Sequence, residues 1–94
     1  MDDRLSALDA WLREVLRGAP FRLERASTDA SFRRYFRAFL DDGRTFIAMD
    51  APPEREDCRP FVKVAGLMRA AGVHVPDIVA QDLAGGFLLL SDLG

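Results

Sequence analysis

The step Asp41-Asp42-Gly43 lies between two strand-like runs, residues 32–40 and 44–49. An Asp-Gly step supplies the positive φ that a tight antiparallel connection requires, so this stretch is confined to a β-hairpin. Upstream, residues 21–25 alternate apolar and charged, as a half-buried strand does, until Ser27, Thr28, Asp29, Ala30 and Ser31 interrupt as a small polar loop. Downstream, the hairpin's second arm stops at Ala51-Pro52-Pro53. Three antiparallel strands in succession are the economical reading.

Helical periodicity flanks these strands. Residues 3–17 place Leu5, Leu8, Trp11, Leu12, Val15 and Leu16 at three- and four-residue spacings with charged residues between them, which predicts an amphipathic helix. Asp2 or Asp3 can cap its start, and Gly18 with Pro20 ends it. Trp11 on that stripe reads as core. A second helix opens at Pro60, sets Phe61, Val64, Ala65, Met68 and Ala71 on one face, and stops at Gly72. Residues 78–82 and 86–91 form a further strand pair around Ala84-Gly85-Gly86, the second apolar enough to be central. The order helix, three strands, helix, two strands predicts an α+β fold with at least one helix against an antiparallel sheet.

Composition narrows the functions open to such a domain. At 94 residues, 49% hydrophobic and 30% charged, the chain is an ordinary globular domain with room for one modest core. Its longest apolar run is far short of a membrane span, and the first residues do not form a signal peptide, so a cytoplasmic location with no membrane partner is the expectation. One cysteine, Cys58, and one histidine, His74, allow neither an internal disulfide nor a zinc site built on those ligands. A net charge of −2 argues against a nucleic-acid partner. All but Lys63 of the 13 basic residues are arginine. Coding bias explains that more readily than phosphate binding does, so position and not abundance has to decide.

Three stretches go beyond topology: residues 28–37 (Thr-Asp-Ala-Ser-Phe-Arg-Arg-Tyr-Phe-Arg), residues 46–54 (Phe-Ile-Ala-Met-Asp-Ala-Pro-Pro-Glu) and residues 57–61 (Asp-Cys-Arg-Pro-Phe). With residues 72–76 and the closing Gly-Phe-Leu-Leu-Leu-Ser-Asp-Leu-Gly, they resemble the aminoglycoside phosphotransferase and choline kinase superfamily, and within it the bacterial anomeric kinases for N-acetylmuramate and N-acetylglucosamine. The resemblance covers nearly the whole chain. It implies a protein-kinase-like N-lobe: a five-stranded antiparallel sheet with one packed helix, plus an extra N-terminal helix over residues 1–18. It also implies a second, catalytic lobe outside these 94 residues, which would bring the base and the ligands of Mg2+. The implied reaction moves a phosphoryl group from ATP to the anomeric hydroxyl of an amino sugar in cell-wall recycling, and residues 1–94 alone are expected to be inactive. An aminoglycoside- or choline-type acceptor, or a non-catalytic α+β interaction module, remain the alternatives.

By position, Ser27, Thr28, Asp29, Ala30 and Ser31 resemble the phosphate-covering loop, Ile47 the adenine-roof residue of strand three, and Ser91, Asp92 and Leu93 the backbone hinge that bonds the adenine edge. Two departures follow. The loop holds no glycine, although hydroxyls and a tight turn can still aim donors at an anion. Met49 stands where protein kinases carry the phosphate-gripping lysine, and the helix over residues 61–71 offers no acidic partner, so both halves of that ion pair are missing together. The charge burden then falls to Arg33, Arg34 and Arg37, with alternation setting Arg33 and Arg37 on one face and Arg34 on the other. Asp50, Glu54, Glu56 and Asp57 read as solvated charges ahead of a helix. His74 and Cys58 have no catalytic constellation around them.

Overall fold

The structure, a computed structural model, describes residues 3–28, 33–55 and 59–92. Helix α1 (Asp3–Val15) is followed by strands β1 (Phe21–Thr28), β2 (Arg34–Leu40) and β3 (Thr45–Asp50), then helix α2 (Arg59–Ala70), and strands β4 (Ile78–Asp82) and β5 (Phe87–Ser91). The strands form one sheet in the order β1-β2-β3-β5-β4, every pair antiparallel. This is the expected α+β kinase-like lobe. The hairpin closes as its Asp-Gly step demands: Gly43 sits at φ 93°, and the Leu40 N–H donates to the Arg44 carbonyl at 2.9 Å.

Alternation along the strands divides the core into two clusters. On one face Leu8 and Leu12 of α1, both fully buried, pack with Phe36, Ala48, Phe87 and Leu89. Trp11 stacks on Phe87 with ring centroids 5.6 Å apart, so the aromatic of the helical stripe is core, as its spacing implied. On the other face Met49, Ala51, Leu88 and Leu90 form the second cluster, against which Phe61 and Val62 of α2 pack. Residues 87–90 of β5 are all buried because that strand has neighbours on both edges and a cluster on each face.

Three local expectations change. β1 runs on through Thr28, because a bulge between Arg25 and Ser27 absorbs one residue and lets pairing with β2 continue past the change in composition. The stripe expected to bury α2 lies largely in the open: Phe61 packs, whereas Val64 and Met68 are 50% and 44% exposed. Asp50, read as one of four solvated charges, is fully buried. Glu54 is exposed as expected, and Glu56, Asp57 and Cys58 lie outside the described residues.

Candidate functional site

Asp50 explains what holds α1 to the sheet. It ends β3 on the α1 face, directly opposite Arg34 in the β2–β3 register. Arg34 donates to Asp50 Oδ2 from Nε at 3.0 Å and from Nη2 at 2.6 Å. Arg4 of α1 donates to Oδ1 through Nε at 3.0 Å and again through Nη2, while its guanidinium lies 4.6 Å from the centroid of the Phe87 ring. A carboxylate removed from water needs such charged donors, since leaving it unpaired would be costly. Arg34 therefore directs its guanidinium to the α1 side of the sheet.

The opposite face carries the groove. At the end of β5 a shallow cavity of about 420 Å³ is bounded by Ile47, Leu90, Ser91 and Asp92, with Arg37, Tyr35 and Phe61 along its sides. Ile47 and Leu90 are cross-strand partners in the β3–β5 ladder, and together they present an apolar plate. Ser91 is held in place at the plate's edge: its N–H donates to the Asp77 carbonyl at 2.9 Å and its hydroxyl accepts from the Asp77 N–H at 2.8 Å. Asp92 follows immediately, with both carboxylate oxygens met by Arg37, Nε to Oδ2 at 2.8 Å and Nη2 to Oδ1 at 3.4 Å. A flat apolar surface with a few convergent polar groups at one end is what a heteroaromatic ring requires.

Past Phe61 and Pro76 the groove continues into a second apolar trough along α2, lined by Arg33, Val64, Ala65 and Met68. Arg33 lies on this side, its guanidinium 5.9 Å from the Phe61 ring centroid. Met49 is fully buried beneath it, packed with Leu88, Leu90 and Ala51. An apolar contact between β3 and α2 thus stands where a lysine–glutamate pair would otherwise join them.

Of the residues singled out from the sequence, the fold brings Ile47, Ser91 and Asp92 into one groove and sets Arg33 beside it. It turns Arg34 to the far face and gives Arg37 to Asp92. The backbones of Ser27 and Thr28 belong to β1, paired with Tyr35 and Arg34. Asp29, Ala30, Ser31 and Leu93 lie outside the described residues. Periodicity did not mark Leu90, Phe61 or Pro76 as groove residues, because an apolar residue that lines a groove and one that fills a core give the same signal. Among the described residues no cluster of three or more His, Cys, Asp or Glu side chains could hold a metal ion. No helix among them is long and apolar enough to cross a membrane.

The chain is 55% identical over 99% of its length to an N-acetylmuramate/N-acetylglucosamine kinase of Pseudomonas aeruginosa and 52% identical over 99% to one of Pseudomonas putida, in each case spanning 30% of the relative. A Neisseria meningitidis protein of the same name is 42% identical over 93% of the chain, which spans 25% of that relative. Less than a third of these relatives' length is therefore represented here. Residues 22–94, the five strands and α2, match the phosphotransferase enzyme family, and the chain belongs to that family.

Proposed function

We propose that this chain is the nucleotide-covering lobe of an ATP-dependent kinase that phosphorylates the anomeric hydroxyl of N-acetylmuramate or N-acetylglucosamine. The observation that carries the reading is the groove itself, in which Ile47 and Leu90 form an apolar plate and Ser91 and Asp92 its polar end. The adenine ring would lie on the plate, with the backbone of residues 91–93 at its edge. Phosphoryl transfer needs little covalent chemistry from the protein and depends on positioning and charge stabilisation. In this lobe Arg33 stands on the groove side, and residues 27–31 are the segment proposed to cover the phosphates.

The acceptor pocket and the Mg2+ ligands belong, in this reading, to a second lobe, which the chain's share of its relatives leaves room for. The cytoplasm, where ATP is available, is the compartment that goes with it, and neither nucleic acid nor membrane is a partner. The protein with its second lobe is expected to convert either amino sugar to the 1-phosphate in the presence of ATP and magnesium, observed by phosphorus NMR. Ile47→Trp, which fills the groove, should raise the KM for ATP at least tenfold and leave that for the sugar unmoved. Choline or an aminoglycoside as the accepted substrate would replace the sugar, and no ATP-dependent phosphorylation of any acceptor would overturn the reading. A sugar-kinase rate from residues 1–94 alone would refute the division between lobes.

A specific observation favours a second reading, in which the lobe is an interaction module: Met49 and the exposed α2 trough make the phosphate end apolar where a catalytic lobe is usually charged. Titration with ATP separates the two, since a module without a nucleotide site shows no saturable shift in melting temperature.

A further inference from the structure

Arg37, Ile47 and Leu90 stand abreast on β2, β3 and β5. Adjacent strands are about 4.8 Å apart, so the Arg37 side chain has to span the width of β3 to reach the residue that follows β5. It does so, and its guanidinium meets both oxygens of Asp92. The Asp92 side chain is 9% exposed and that of Arg37 37%, which leaves the carboxylate on the dry side of the pair and the guanidinium at the mouth of the groove. Both line the same cavity as Ile47 and Ser91.

A carboxylate is an acceptor only. At the end of a slot that takes a purine, two carboxylate oxygens side by side match the two adjacent donors of guanine, N1–H and the exocyclic N2 amino group. They oppose adenine, which offers a donor at N6 but an acceptor at N1. A guanidinium forked onto those oxygens occupies them and offsets their charge. Discrimination between two similar ligands is commonly built this way, by denying the wrong one its partner.

We propose that Arg37 is a base-specificity residue: by engaging the Asp92 carboxylate it denies guanine a binding partner at the base end of the groove, and so selects adenine. The inference rests on reading the groove as a nucleotide site. Arg37 acts on the choice of base by occupying Asp92 and is in that sense a positioning residue.

The test uses the protein with its second lobe and compares kcat/KM for GTP and ATP in the parent, Arg37→Met, Arg37→Gln, Asp92→Asn and the double variant Arg37→Met with Asp92→Asn. The parent should prefer ATP. Each Arg37 variant should raise the GTP to ATP ratio at least tenfold, Asp92→Asn should not, and the double variant should return toward the parent. Both nucleotides are measured on one preparation, so any loss of folded protein cancels in the ratio. An unchanged ratio in both Arg37 variants overturns the proposal, as does the same rise whether or not the Asp92 carboxylate is present. Preference for GTP in the parent overturns it too. Failure of the parent to use either nucleotide would instead sink the nucleotide reading, and this assignment with it.

Discussion

Asp42 in the β2–β3 turn accepts the Arg44 N–H at 3.0 Å on one oxygen and Arg44 Nε at 2.8 Å on the other. The backbone hydrogen bond from Arg44, aided by that residue's side chain and charge, holds the carboxyl below its ordinary value of 3.8. A lowered folded pKa means the contribution is fully present above the unfolded value, about 3.9, and is lost as pH falls through the lower folded value. The urea midpoints of the parent and Asp42→Ala should therefore differ at pH 6 and converge as pH falls below about 4. This turn was legible from two letters, because its chemistry is local. Asp50 was not: an aspartate ending a strand looks like any other until Arg4 and Arg34, 46 and 16 residues away, close on it.

At the scale of elements, apolar packing and the Asp50 carboxylate both join α1 to the sheet. Leu8 and Leu12 supply the buried stripe, and the Arg4–Asp50–Arg34 cluster fixes where the helix sits along it. Removing the centre of such a cluster leaves two arginines facing each other, and their side chains are only 27% and 22% exposed. Asp50→Ala is thus expected to cost about 3 kcal/mol, at the low end of the range for a broken buried ion pair because both arginines keep some contact with water. Arg4→Met, which keeps the Arg34 bonds, should cost less than half as much; urea denaturation followed by tryptophan fluorescence reads both through Trp11. No measurable cost for Arg4→Met would mean that α1 does not depend on the charge cluster. The element types and most boundaries followed from periodicity, whereas the extension of β1 through a bulge did not. Pairing with β2 carries that strand on, and no property of residues 26–28 announces it.

For the molecule as a whole, the two helices are unequal. α1 is seated in a core cluster, while α2 has no buried residue and shows an apolar trough of about 420 Å³ beside the groove. Exposed substitutions away from packing and ion pairs change stability by no more than about 0.5 kcal/mol, so Val64→Ser and Met68→Ser should leave the urea midpoint of this chain nearly unmoved. A loss of several times that would show that the trough is closed in solution. The sequence by itself determined the hairpin, the helices and the central place of β5. Each follows from a spacing of 2.0 or 3.6 residues, or from a turn residue acting on its neighbours. Only the tertiary structure decided which arginine does what. Arg33, Arg34 and Arg37 are alike in chemistry and nearly adjacent in sequence, yet one lies beside the groove, one binds Asp50 on the far face and one reaches Asp92 at the end of β5. Their partners arrive from α2, from β3 and from the residue after β5, at separations over which sequence periodicity carries no information.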